Sequence, residues 1–445
     1  MSNWAAVTDA IVIGAGIAGV TAARELQRAG RSAVVVEARD RIGGRVYSVR
    51  DFCGDPVEGG AEFVHGVRAS TWPEVRAAGL AVRPCPSVRD TMLSLGGRAR
   101  WLPRTLLHPG LWPTFTILRA VAKLGPPDVP AREFIDRRGY TGRARVLAEM
   151  VLTAHLPGSI DEVGVQGLVA DGVLTLEQGL NHRVVEGYDA VVAFIAGGLD
   201  IRLGFPVQRI SWDNGGVIVR AADGRELSAR AAVCTLPVGV LKSRAVQFVP
   251  ELPQTKQSAL TQMEMGPVGK LLLHFREAFW PRWLALLACG TGPVTLYWPV
   301  FYGAEHKPPV LIAYYTGPRA GRLAAASEDE AVATALADLS LHFPGTNPRQ
   351  QLLAHRRIDW TTDPFSRGGY TFLRPGGIGA RERLAAADTG RLFFAGSATE
   401  SRPIAATVEA AYCSGKRAAQ DVCAALGGST PRNATSATAV SPTPS

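Results

Sequence analysis

Residues 11–46 read IVIGAGIAGVTAARELQRAGRSAVVVEARDRIGGRV. The apolar run Ile11–Ile13 predicts a strand. It runs into Gly14-x-Gly16-x-x-Gly19, and a helical stretch follows from Val20 to about Ala29. A second apolar run, Ala33–Val36, ends on Glu37, 18 residues beyond Gly19. This is a βαβ unit with a separate task for each glycine. Gly14 makes the tight turn, Gly16 lets the backbone approach a pyrophosphate, and Gly19 lets helix and strand pack closely. Ile17 and Ala18 lie between the second and third glycines and count with the binding turn. The helix N-terminus favours phosphate charge, and Glu37, with Ala38 beside it, stands where a carboxylate accepts a ribose hydroxyl. Strand, helix and acid fall in register, so a dinucleotide site is expected.

The residues that follow choose the dinucleotide. Arg39, Arg41 and then Gly43-Gly44-Arg45 come directly after Glu37. Two glycines let the backbone lie against a flat ring system or a phosphate, and Arg45 can give forked hydrogen bonds. A nicotinamide enzyme has no need of this second loop. The spacing resembles the flavoprotein pattern E-x-R-x-x-x-GGR of amine oxidases, phytoene desaturases and protoporphyrinogen oxidases, which implies FAD.

Composition bounds the rest. A chain of 445 residues that is 47% hydrophobic can bury large cores and should hold two domains. No uninterrupted apolar run reaches membrane-spanning length, so no membrane span is expected. The first apolar run is the nucleotide strand and no basic region precedes it, so a signal peptide is not expected. The six cysteines (53, 85, 234, 289, 413 and 423) form no CxxC pair and no metal spacing. Metal sites are therefore not expected, and a cytoplasmic location fits. The net charge is +9, but only six of the 48 basic residues are lysine. That bias suggests GC-rich bacterial coding rather than a nucleic-acid surface, and no basic run carries interleaved aromatics. The excess positive charge argues mildly against strongly cationic substrates.

Along the chain there are no internal repeats. Val57-Glu58-Gly59-Gly60-Ala61-Glu62-Phe63-Val64-His65 follows the second glycine loop. Residues 72–155 are rich in Trp, Pro and Arg and read as mainly helical. Within them Leu106–Leu124 is mostly apolar but broken by Pro109 and Pro113; it reads as core or domain interface, with a tunnel lining or a membrane-surface patch as alternatives. Residues 181–212 read as a helix followed by a strand, and residues 216–234 as a meander of short strands. Residues 427–445 are Ser/Thr/Pro/Ala-rich and read as a disordered tail; the sequon at Asn433 is taken as chance. Two late segments, residues 231–241 and 391–397, each show an apolar strand ending in small residues, as an open α/β sheet presents a ligand crevice. A last helix begins near Ala406, so its free N–H groups could face flavin carbonyl oxygens.

Taken together, these segments resemble the flavin-containing amine oxidase family of monoamine oxidases, polyamine oxidases and histone-lysine demethylases. The resemblance covers both ends and the middle of the chain and is weakest over residues 70–180. It implies an α/β fold: a Rossmann-like FAD domain of discontinuous segments (1–85, 200–265 and 360–426) with an inserted α+β substrate domain (86–199 and 266–359). It also carries FAD contacts onto Gly60, Ala61, Val207, Thr235, Pro237, Gly369, Gly396, Ser397, Ala406, Thr407, Val408 and Ala411. The pattern Lys270-x-x-x-x-Phe275-x-x-x-Phe279-Trp280 resembles the family segment whose lysine holds a water near the flavin. A lysine in an apolar strand is costly unless its ammonium finds a partner, or lies on an edge and snorkels to water. In Trp360-Thr-Thr-Asp363-Pro364-Phe365-Ser366-Arg367-Gly368-Gly369-Tyr370, the resemblance puts Trp360 beside the flavin and Tyr370 in the substrate cavity.

Departures from the family pattern also carry expectations. Thr407 stands where monoamine oxidases have a second cavity tyrosine, and Ser397 stands where many relatives have glutamate. The covalent flavin cysteine has no match, since Cys413 comes later on the helix, so the FAD should be non-covalent. Glu62 replaces a small, polar or amide residue. It could bind a substrate ammonium, act as a general acid or base if burial raises its pKa, or be a solvated loop acid. The expected activity is oxidation of a C–N bond in a small amine, amino acid or amide, giving an imine and H2O2 with O2 as acceptor. The alternative is a desaturase or dehydrogenase of an isoprenoid or natural product. A homodimer is also compatible with the reading; nucleic acid is not an expected partner.

Overall fold

The structure is a computed structural model, and it describes residues 8–85, 88–153, 157–172, 181–304 and 306–427. The tail read as disordered lies, beyond Gly427, outside the described residues. The chain folds around two large sheets.

The first sheet carries the dinucleotide unit. Strand Thr8–Ile13 pairs in parallel with Ala33–Val36 on one side and with Glu226–Cys234 on the other. Asp200–Arg202 extends the parallel run past Ala33–Val36, and Leu392–Phe394 pairs in parallel with the end of Glu226–Cys234. The meander Val207–Trp212 and Val217–Ala221 joins antiparallel to the beginning of Glu226–Cys234. Alternation explains why the first strand is apolar at every position. Ala10 and Val12 enter one core, Ile11 and Ile13 enter the core on the opposite face, and all four are at most 1% exposed. A strand buried on both faces has no place for a polar residue. Helix Ile17–Arg28 covers one face and packs on the long C-terminal helix Val408–Ala425. The two approach so closely at Gly415 that a β-carbon there would lie 2.3 Å from the Ala18 carbonyl oxygen.

The second sheet has seven strands, in the order Leu352–Asp359, Val268–Phe275, Val310–Thr316, Leu296–Pro299, Leu286–Cys289, Thr91–Ser94 and Arg100–Trp101. One face packs under helices Gly317–Ala325 and Glu328–His342. The second of these begins in a capping box, with Ser327 and Glu330 each bonding the other's backbone N–H. The other face packs against the short pair Ser48–Val49 and Val57–Glu58. Alternation along Val268–Phe275 puts Leu271 and Leu273 in the helix-covered core and Leu272 in the other. Lys270 therefore shares the face of Leu272, turned towards the Val57–Glu58 segment.

Two expectations need correcting. Helix Asp189–Ala196 falls in the 86–199 stretch expected to belong to the substrate domain. Its Val191, Val192 and Ile195 instead share the core of the first helix, because the apolar side of this helix completes the cover over the dinucleotide sheet. Residues 72–155 are not mainly helical throughout: Thr91–Ser94 and Arg100–Trp101 are strands that close the edge of the second sheet. Val82–Pro84 is a further short strand, while residues 102–153 are largely helical, with Phe134 and Ala148 in one core with Leu168 and Phe372.

Candidate active site

The glycine turn has the geometry its spacing predicts. Gly14 has φ +103°, and a β-carbon on Gly19 would lie 1.9 Å from the Gly14 carbonyl oxygen. Gly16 differs: a β-carbon there would meet only the Gly43 carbonyl oxygen, at 3.9 Å. No protein packing requires the glycine at 16, so its bare backbone is space left for a ligand. Two contrasting outcomes follow. Gly19→Ala should destabilise the fold. Gly16→Val should fold with a normal melting temperature as apoprotein but lose most bound FAD, read as flavin absorbance per protein. Equal flavin content in Gly16→Val and the unsubstituted protein would remove the cradle assignment.

Glu37 is buried, and its carboxylate accepts from the Ala15 N–H (2.8 Å) and the Arg39 N–H (3.0 Å). Around it the backbone of Gly204 bonds to Arg39 and that of Phe205 to Glu37, which brings the start of Val207–Trp212 to the end of the second strand. Ala38 and the start of Val207–Trp212 thus lie at the end of the second strand, while Ile17 and Ala18 open the first helix in the core on the other face. The second glycine loop is laced onto the first: Gly43 N–H donates to the Ala15 carbonyl, and Gly16 and Gly43 form an isolated bridge. Gly44 (φ +58°) follows alongside Gly16. Arg45 Nη1 donates to the Gly369 carbonyl at 2.6 Å. Burial, with the charge of Arg39 adding to it, pushes the Arg45 guanidinium down to about 10. A half-buried guanidinium without a carboxylate partner is costly unless an anion joins it.

A cleft beside Arg45 is lined by Thr235, Pro237, Gly396, Ser397 and Thr399. These residues end the strands Glu226–Cys234 and Leu392–Phe394, as a crevice at the carboxyl ends of parallel strands requires. The C-terminal helix opens onto the same region. Thr407 caps it, its Oγ1 accepting from Ala410 N–H, and Val408 and Ala411 occupy its first turn. Ala406, just before the cap, has φ +64°. That conformation is uncommon for a residue with a β-carbon and costs on the order of 1 kcal/mol or more. An 18-residue helix thus begins here, and its first N–H groups have no intrahelical partners. A bare glycine cradle, a helix N-terminus and a half-buried arginine are the donors a flavin dinucleotide needs, and the residues fit FAD.

The catalytic candidates meet at the junction of the two bodies. The strand of Lys270 is central, flanked by Val310–Thr316 and Leu352–Asp359, so this lysine does not snorkel from an edge. It is 4% exposed. Its Nζ donates to the carbonyls of Glu58 (2.9 Å) and Gly60 (2.9 Å) and to Glu62 Oε2 (3.0 Å). Trp360, also buried, donates from Nε1 to the carbonyl between them, that of Gly59, at 3.0 Å. Three successive carbonyls of one loop are thus held by two residues some 90 positions apart in the chain. The other side of that loop is fixed by Gly60 N–H to Tyr47 and Ala61 N–H to Arg45. Tyr370 faces Tyr314, their hydroxyls 2.7 Å apart, and Tyr314 stacks at a tilt on Trp298. Burial raises the pKa of Tyr370 to about 12, so its phenol stays neutral.

Glu62 is neither a solvated loop acid nor a raised-pKa acid. It is 5% exposed and accepts from Arg183 Nε (2.7 Å), Trp298 Nε1 (3.0 and 3.2 Å) and Lys270. Burial works to raise its pKa, but the Lys270 ammonium and the Arg183 guanidinium, with the hydrogen bonds from Lys270 and Trp298, outweigh it. The carboxyl is held below its usual range. The condition for a general acid, a carboxyl raised by burial, is therefore not met. Its neighbour Glu58 goes the other way: burial, reinforced by the Glu62 charge and opposed by hydrogen bonds from Tyr188 and Ser48, raises it to about 8. His65 pairs with Asn181 instead of joining this network. Arg183, Trp298 and Tyr314 were not among the sequence candidates. Trp298 and Tyr314 stand in ordinary apolar strands, and only the pairing of those strands brings them to Glu62 and Tyr370.

Among the described residues, Cys289, Asp338 and His342 also converge, but on the helix-covered face of the second sheet, where the Tyr297 hydroxyl donates to Asp338. It is a separate buried polar cluster.

The sequence pattern of the family described as flavin containing amine oxidoreductase matches residues 17–423. The chain belongs to that family. It is 31% identical to polyamine oxidase 4 of Oryza sativa subsp. japonica, over 92% of this chain and 88% of that one. It is 32% identical to polyamine oxidase 2 of Arabidopsis thaliana, over 92% and 87%. Lysine-specific histone demethylase 1B of Mus musculus is 28% identical, over 93% of this chain but 52% of that protein. The fold matches that of the cyclohexylamine oxidase from Brevibacterium oxydans (TM-score 0.82, 22% identity, 95% of this chain and 100% of that one). It also matches a putrescine oxidase solved with putrescine bound (TM-score 0.81, 20% identity, 94% and 99%). As a member of this amine oxidoreductase family the chain is an FAD-dependent oxidase of amine C–N bonds.

Proposed function

We propose that this amine oxidase takes a small amine in its neutral form at the junction of the two sheets. A hydride leaves the carbon next to nitrogen, a proton leaves the nitrogen, an imine is released, and O2 is reduced to H2O2. FAD, held non-covalently, supplies the acceptor for the hydride and passes the electrons to O2. The observation that carries the residue roles is the clamp of Lys270 and Trp360 on the Glu58–Glu62 loop.

In this reading Lys270 fixes a positive charge and the shape of the loop beside the reacting centre. Its three N–H groups already have protein acceptors, so holding a water requires releasing one of them. The Tyr314–Tyr370 pair, with Trp298, gives an aromatic wall that orients the substrate and excludes water. Glu62 is matched by Lys270 and Arg183. It offers no uncompensated charge to a substrate ammonium, which is why the amine is taken as neutral. The partners are then a small-molecule amine and O2, and the enzyme works in the cytoplasm.

Anaerobic mixing of the yellow holoprotein with amines, amino acids and polyamines tests this. Bleaching of the oxidised-flavin band by an amine, followed by H2O2 when air is admitted, is the expected result. Bleaching without H2O2 on aeration would instead support a dehydrogenase using another acceptor. Flavin that stays attached to denatured, precipitated protein would remove the non-covalent assignment.

A further inference from the structure

We propose that residues 101–123 form a docking surface for an anionic lipid bilayer, by which this enzyme sits on a membrane without crossing it. Among the described residues no helix is long and apolar enough to span one. The segment contains a short helix (Leu102–Leu106), a 3-10 helix (Pro109–Thr116) and a helix (Ile117–Ala122). Its inward side chains are already satisfied: Leu111, Ile117 and Val121 are at most 2% exposed, and Thr114 Oγ1 donates to the Leu111 carbonyl. Four of its outward side chains are large and apolar. Trp101 is 48% exposed, Leu107 75%, Trp112 58% and Phe115 54%. Trp112 and Phe115 are three apart in a 3-10 helix, where such residues eclipse, so they project on one side. His108 accepts from Gly110 N–H at the preceding turn, which fixes Leu107 just before them.

Charge selects the occupant. From Thr91 to Pro127 there is not one Asp or Glu, while Arg98, Arg100, Arg104, Arg119 and Lys123 all lie in this stretch. All five are exposed, and none forms an ion pair among the described residues. A stretch that exposes four large apolar side chains and five cations without one acid is unusual for a free surface. Exposed indole rings favour the headgroup level of a bilayer, and arginines without ion pairs in the same stretch favour anionic lipid. A protein partner would need a matching acidic rim around an apolar socket; a bilayer of mixed anionic and neutral lipid supplies both without specific geometry.

The test is sedimentation of the holoprotein with vesicles. With three parts phosphatidylcholine to one part phosphatidylglycerol at low salt, the protein should pellet. With phosphatidylcholine alone, binding should be weaker by at least about tenfold, and each of Arg100→Gln, Arg104→Gln and Arg119→Gln should weaken it about fivefold. Leu107→Ser/Trp112→Ser/Phe115→Ser should abolish pelleting. Flavin content and turnover of a water-soluble amine should not change, which shows that the variant is folded. Protein that stays in the supernatant with anionic vesicles overturns the proposal. So does a triple variant that pellets as before, or one whose only change is a dimer falling to a monomer by light scattering, which would make the patch a contact between copies. None of these outcomes depends on the amine being identified.

Discussion

Lys270→Met leaves a folded, yellow protein whose turnover falls about 10²- to 10³-fold, the usual loss when one preorganised charge donor is removed from an enzyme site. Methionine matches the length of the lysine stem, so the central strand keeps its packing. What disappears is the ammonium that ties the Glu58 and Gly60 carbonyls to Glu62. The cofactor contacts proposed at Gly16, Arg45 and the Thr407 helix cap do not involve this side chain, so FAD content should hold. Stopped-flow measurement under nitrogen and then with O2 divides the loss between substrate oxidation and reoxidation. If both rates equal those of the unsubstituted enzyme, Lys270 is only a structural clamp.

The second large effect is on stability. Glu62→Gln should destabilise the protein by about 3–5 kcal/mol, because it leaves two buried cations facing an amide. Glu62 is the carboxylate within ion-pair distance of both Lys270 and Arg183, and all three side chains are at most 11% exposed. The amide can still accept from Trp298, but its own N–H groups then point at a guanidinium or an ammonium. Thermal melts and urea titrations read the change. Combining it with Lys270→Met supplies the control, since removing both ends of the pair should cost less than the two single losses added together. Strict additivity would mean that the pair is not coupled, and the network would lose its meaning as a unit.

The acidity of the site follows from the same arrangement. Burial acts on Glu58 and Glu62 alike, but Glu62 is ion-paired with both Lys270 and Arg183, so one is raised and the other lowered. Two glutamates four residues apart on one loop thereby hold different protonation states near neutral pH. Nothing in their local sequence separates them.

How much was legible in advance depended on whether the cause was local. The glycine spacing, the apolar run that enters it and the acid that ends the second strand specify backbone shapes over a few dozen residues. The βαβ unit, its cofactor class and the late strand-and-helix crevice could therefore be read from the sequence. The family resemblance added Lys270, Trp360 and Tyr370 as candidates, and the structure brings them into one region with Glu62. The inward or outward direction of an interrupted apolar stretch such as 106–124 could not be read, because prolines break the period that would reveal a face. The same limit misplaced helix Asp189–Ala196: an apolar side says that a helix is covered, not which sheet covers it.

The sequence by itself determined the dinucleotide turn, the second glycine loop, the α/β class and the family, all of which rest on short-range backbone constraints. Tertiary structure alone decided that Lys270 is central rather than on an edge, that Glu62 is paired rather than free, and that Arg183, Trp298 and Tyr314 belong to the site. The reason is physical: strand pairing brings together residues more than a hundred positions apart, and the charge state of a buried group is set by whichever neighbours that pairing supplies.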